Sequence, residues 1–223
     1  TADNKTDQAN GRAGRGSNLD PVIYSMGIAY ADGPFWGALT YQKHEEWAAA
    51  TLAGNTMSDS EAESYRIAAR YIADLGNGAS LTLSAMFENV EYELNDTTTP
   101  GAAMTAFGFG TRYIGGDANG DVSFDRDAFL VSGKYAPGGN FDFRFMYAEA
   151  DDLDVSATGT LTTDSSADSG ADTTLFGVFY ALGDSTELNV SYIEVSNDSN
   201  ANYGTGISAV SAGVGGDVEI IQF

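Results

Sequence analysis

Hydrophobic and polar residues alternate along this chain with a period of two, in runs near the ten-residue length of a membrane-crossing strand. From Val22 to Tyr30 one set of positions reads Val22, Tyr24, Met26, Ile28, Tyr30 and the other Ile23, Ser25, Gly27, Ala29. From Tyr65 to Asp74 the sets are Tyr65, Ile67, Ala69, Tyr71, Ala73 and Arg66, Ala68, Arg70, Ile72, Asp74. Phe141, Phe143, Phe145 and Tyr147 alternate with Asp142, Arg144, Met146 and Ala148, and Leu188, Val190 and Tyr192 alternate more weakly with Glu187, Asn189 and Ser191. A helix, with its period of 3.6, does not produce this pattern.

The segments predict hairpins. The first strand of each ends on a tyrosine and a short turn: Tyr30-Ala-Asp-Gly, Tyr71-Ile-Ala-Asp-Leu-Gly-Asn-Gly, Tyr135-Ala-Pro-Gly-Gly and Tyr180-Ala-Leu-Gly-Asp. Long polar stretches follow the hairpins, at about Glu46–Ser64, Asn95–Ala103, Asp151–Asp172 and Asn197–Gly206. Short turns therefore alternate with long loops. A soluble sandwich has no reason to sort its loops this way, whereas outer-membrane barrels put short turns on the periplasmic side and long loops outside. The expected fold is all-β, an antiparallel transmembrane β-barrel with short periplasmic turns and long extracellular loops. The order breaks at Thr105–Asp127, where Phe107, Phe109 and Tyr113 suit a strand but the stretch from Gly115 to Phe124 is too short for a turn and a full return strand.

Charge placement sharpens the picture. Of the ten Lys and Arg residues, Arg66, Arg70, Arg112, Lys134 and Arg144 fall within strands, each on the face opposite the aromatic and aliphatic residues. A pore would wet that face, and so would a plain amphipathic sheet in water. Lys5, Arg12 and Arg15 lie in the polar N-terminal stretch, Arg126 at a strand entry and Lys43 near a strand end.

Composition then excludes other chemistries. The 223 residues carry a net charge of −22, which repels phosphate backbones and argues against nucleic acid as a partner. There are no cysteines and one histidine, His44, which removes disulfides, thiolate metal sites, thiol nucleophiles and multi-His zinc sites. No Gly-x-Ser-x-Gly elbow, P-loop or His-Glu-x-x-His occurs, so enzymatic activity and a resident cofactor are not expected. Asp117, Asn119, Asp121, Ser123 and Asp125 echo a calcium loop, but Val122 stands where the sharp-turn glycine belongs and Ala128 where the closing glutamate belongs. An acidic turn accounts for them better than a calcium loop does, and an acidic, calcium-binding secreted or surface β-protein, an adhesin or matrix module, is the alternative reading.

The segment Arg15-Gly-Ser-Asn-Leu-Asp-Pro-Val-Ile-Tyr, then Asp32-Gly-Pro-Phe-Trp-Gly, a strand ending at Tyr41, the serial hairpins and the terminal Phe223 resemble the trimeric general porins of Gram-negative outer membranes. The resemblance covers nearly the whole chain. It implies one β-barrel porin domain over 1–223, opening with a polar segment at 1–18 and corresponding to the last two thirds of the family's sixteen-stranded barrel, with the first third absent. It further implies a passive, water-filled channel for ions and small hydrophilic solutes, a homotrimer, contact with outer-membrane lipid and lipopolysaccharide, and Phe223 as assembly signal. Glu219 departs from the family pattern near that end. Arg15, Arg66, Arg70, Arg112, Lys134 and Arg144 would form a basic pore wall. The −22 balance around the mouth leads us to expect a mild cation preference.

Overall fold

The structure, a computed structural model, describes residues 22–45, 51–52, 55–56, 59–97, 114–115, 120–157, 163–164, 166–183, 185–204 and 213–223. Arg15, Phe107, Phe109, Arg112, Tyr113, Asp117 and Asn119 lie outside them. The described strands are β1 Val22–Asp32, β2 Phe35–Glu45, β3 Thr51–Leu52, β4 Asn55–Thr56, β5 Asp59–Gly76, β6 Ala79–Thr97, β7 Ile114–Gly115, β8 Gly120–Ala136, β9 Phe141–Ala150, β10 Asp154–Ala157, β11 Thr163–Asp164, β12 Ala171–Gly183, β13 Thr186–Asn197 and β14 Val218–Gln222. Among the described residues there is no helix.

Ten strands form one antiparallel sheet in the order β1-β2-β5-β6-β8-β9-β12-β13-β14, with β10 also on β8. β3–β4 and β7–β11 are separate two-stranded ladders. Because each long strand pairs with its neighbours in sequence, connections alternate between the two ends. The short ones, at 33–34, 77–78, 137–140 and 184–185, share one end, and the long ones share the other. Asn77 and Gly78 show why such turns close. Both have positive φ, 54° and 79°, which a two-residue hairpin matched to strand twist demands.

The strands run further toward the long-loop end than the hydrophobic pattern suggests. Residues 59–64 and 95–97, expected in loops, extend β5 and β6 to 18 and 19 residues, and 154–157, likewise expected in a loop, form β10. The reason is physical: alternation reports a difference between two faces, and it vanishes where both are polar, while the backbone ladder continues. The stretch from Gly120 likewise begins a single 17-residue strand, β8. β9 and β10 continue along one edge of β8, interrupted at Asp151–Leu153, where the Asp151 amide donates to the Asp127 carbonyl at 2.9 Å.

Register gathers the alternating residues of every strand onto common faces. Ile28 lies opposite Leu39, Leu39 opposite Ile67, Ile67 opposite Phe87 and Phe87 opposite Phe129. This apolar face is open, with Ile28 71% exposed and Ile67 54%. Buried apolar residues, Phe124, Leu153, Val195, Ala201 and Val218, cluster instead at the long-loop end. There the Asp152 carboxylate accepts the backbone amides of Asp168, Ser169 and Gly170 at 3.0, 2.6 and 2.8 Å, and the Leu153 amide donates to Ser169 Oγ at 2.8 Å.

The turn-end tyrosines obey a simple rule. Tyr30 lies in the ladder row of Ala69, two residues short of Tyr71, while Tyr135 lies in the row of Ala73, two residues beyond it. Tyr180 is four residues beyond Phe176, which shares the row of Tyr71. Each successive tyrosine is thus displaced two residues over two strand steps. At about 3.3 Å per residue and about 4.8 Å per step, such a line is level only if the strands tilt by about 35°. The tilt of transmembrane barrel strands is about 35–45°.

Candidate functional site: the polar face at the depth of the tyrosine levels

A second tyrosine level lies toward the long loops. Tyr65, Tyr147 and Tyr192 each donate to a carboxylate two residues nearer the loops, Glu63, Glu149 and Glu194, at 3.3, 2.8 and 3.0 Å. On β5 the two levels are Tyr65 and Tyr71, and Arg66 and Arg70 fall between them on the opposite face. Lys134 and Arg144 are cross-strand partners on that same polar face.

Three of these four cations carry acid partners. Arg66 meets Glu88 at 2.5 Å, Lys134 meets Asp142 at 2.9 Å, and Arg144 meets Asp142 at 2.7 Å and Glu187 at 3.0 Å. The Arg144 guanidinium also lies 3.7 Å from the centre of the Phe179 ring. Arg70 makes no ion pair among the described residues and lies 5.9 Å from the Trp36 ring. Arg126, on the same face, donates to the Tyr203 hydroxyl from the segment that follows β13. A depression of about 350 Å³ borders Arg66 and Glu88 and is lined also by Gln42, His44, Ser64 and Tyr92.

What the alternation does not carry is the pairing of these acids with the cations. Glu88, Asp142 and Glu187 occupy polar-face positions, so their parity with the arginines was available, but the pairing of strands was not. Lys43 takes the other side: it sits on the face of Tyr41, bonded to Glu61, to Glu63 at 3.0 Å and to Glu45 at 3.4 Å.

Of the calcium-like spacing, Asp121 and Asp125 fall in β8, about 13 Å apart along the extended backbone, and Asp117 and Asn119 lie outside the described residues. No group of three or more metal-ligating side chains occurs among the described residues. Phe223 follows β14 directly and is 90% exposed.

The likeness to solved structures accords with this geometry. An anion-selective porin from Comamonas acidovorans superposes with a TM-score of 0.58 and 15% identity, over 89% of this chain and 46% of its own. The fold is porin-like. A second structure, a porin refined at 1.8 Å resolution, gives a TM-score of 0.49 and 18% identity over 95% of this chain and 53% of its own. The porin-like chain thus spans about half the length of either. No protein-family profile and no curated protein matches it.

Proposed function

We propose that this chain is channel wall in an outer-membrane porin, and that its polar face lines a water-filled path for passive diffusion of ions and small hydrophilic solutes. The observation that carries the reading is the apolar face bounded by two tyrosine levels, of which the turn-end one is level at a barrel-like tilt. Soluble proteins seldom leave so large a contiguous apolar surface in water, which disfavours the adhesin or matrix alternative. Lipid of the outer membrane, with lipopolysaccharide beyond the loop-side tyrosines, is the partner that would cover it. Assembly as a homotrimer and the role of Phe223 in insertion rest on the family resemblance.

The mild cation preference inferred from net charge draws no support. The Comamonas neighbour is described as anion-selective, and the acids nearest this wall are tied to its cations. Nothing in the proposed function calls for catalysis or a bound cofactor. The test is extraction followed by reconstitution: the protein should need detergent, change gel mobility when heated, and give stepwise conductance in a planar bilayer. A protein released by buffer or chelator alone would overturn the reading.

A further inference from the structure

Resting on the channel reading, we infer that the channel face carries an apolar site on β9, β12, β13 and β14, which takes the aryl or short alkyl group of a small uncharged amphipathic solute. One ladder row changes character along its length. It reads Trp36, Arg70, Ser84 and Ser132 from β2 to β8 and continues as Met146, Leu175, Ile193 and Ile220. The chain neighbours of these last four, Phe145, Phe176, Tyr192 and Ile221, share the opposite, apolar face. Four strands are therefore apolar on both faces at one depth, and lipid accounts for only one of those faces.

An aromatic ring extends the row toward the turns. A Cβ at Gly177 would lie 2.7 Å from the Phe179 ring, so that ring leans over the glycine, the next position after Leu175 on this face. Toward the loops the patch ends on Val195 and Val218, only 1% and 3% exposed, whereas the four residues of the row are half-buried. Size and charge then select the occupant. Three strand spacings by two residues is about 14 Å by 7 Å. That is far below the roughly 800 Å² each partner gives to a stable protein interface, and enough for one ring or a short chain. The charges toward the turns cancel, Lys134 and Arg144 against Asp142 and Glu187. An ionic head gains little at so balanced a rim, while an apolar group gains by leaving water. Ser132 beside Met146, and Gln222 after Ile220 on the same face of β14, supply a hydroxyl and an amide that suit the hydroxyls of a neutral head.

The experiment uses the whole protein in planar bilayers and two neutral probes, glucose and phenyl β-glucoside, which share a head and differ by a ring. Phenyl glucoside should reduce the wild-type current at about ten-fold lower concentration than glucose, the ratio expected when roughly 50 Å² of apolar surface leaves water. The L175S/I193S double variant should conduct and lose that preference. I193C gives an independent reading should the double variant fail to assemble: its labelling by a water-soluble thiol reagent should be slowed by phenyl glucoside and not by glucose. Equal effects of the two probes on wild type, a conducting double variant that keeps the preference, or I193C labelling indifferent to phenyl glucoside overturns this inference alone. So does an I193C that never reacts, since protein rather than solute then covers the row. Wild-type protein that inserts without conducting overturns the channel reading and this inference with it.

Discussion

Arg126 on β8 and Tyr203, beyond the end of β13, meet across 77 positions of sequence: the guanidinium donates to the tyrosine hydroxyl and lies 5.4 Å from its ring. The contact brings Tyr203 to the polar face of β8, in the ladder row of Val90 and Ser64. Asn197 fixes the 198–204 segment, its Oδ1 accepting the Tyr203 amide at 2.6 Å and its Nδ2 donating to the carbonyls of Tyr203 and Gly216 at 3.1 and 2.7 Å. Replacing Tyr203 with Ala removes both the hydroxyl and the ring. Backbone amides of 198–204 should then exchange faster by hydrogen-exchange mass spectrometry, while those of β5 and β6 stay as protected as before. Unchanged exchange in 198–204 would mean that Asn197, with the backbone bonds from Asp198 to Gly170 and from Asn200 to Asp168, holds the segment without Tyr203.

Facing is testable directly. Single cysteines at Ile67 and Phe143, on the apolar face, should resist a water-soluble thiol reagent in membranes, and cysteines at Ala68 and Arg144 should react. The parent chain has no cysteine, so labelling reports only the chosen site. Equal reactivity at all four positions would remove the lipid-facing assignment.

Gly133 and Phe145 are partners on the apolar face, and a Cβ at Gly133 would lie 2.2 Å from the Phe145 ring. G133A must push that ring off its rotamer, at a cost of about 0.5–1.5 kcal/mol. F145A removes the ring and therefore the clash, so the double mutant should be more stable than the two single losses added together. Additive losses in urea unfolding from detergent or lipid would show that the ring swings aside freely.

These contacts mark what the sequence made legible. Alternation placed Tyr65, Ile67 and Tyr71 opposite Arg66 and Arg70 because facing depends only on parity within one strand. Loop sorting was legible because turn chemistry is local: Asn77-Gly78 declares its turn by residue type. Pairing across strands depends on register, which no single segment carries, so Glu88 beside Arg66 and Glu187 beside Arg144 emerged only with the sheet. The strand ends at Asp59 and Thr97 carry no alternation for the related reason that polar residues on both faces erase the signal. The tyrosine repeat lay between these cases, plain as a pattern at Tyr30, Tyr71, Tyr135 and Tyr180, yet without meaning until register turned it into a tilt.

Asp198, just past the end of β13, gives a dependence on pH. Burial first, then the charges of Asp152 and Asp168, push its carboxyl above the ordinary aspartate value. A folded-state pKa above the unfolded one means that the folded protein binds the proton more tightly, so the stabilisation exists at low pH and is lost as pH rises through that range. The loop cluster should accordingly grow less stable from acid toward neutral pH, apart from the contributions of other groups. D198N fixes the side chain in a neutral form and should flatten that slope in the local opening of 198–204, read by hydrogen exchange at several pH values. D152N acts twice. Asp152 Oδ1 accepts the amides of Ser169 and Gly170 and Oδ2 that of Asp168; D152N keeps one acceptor oxygen but sets a donor against the Asp168 amide and removes a charge facing Asp198, so this variant should loosen 166–170 and also reduce the slope that Asp198 contributes. A D198N protein with the wild-type slope would assign the dependence to the neighbouring acids instead.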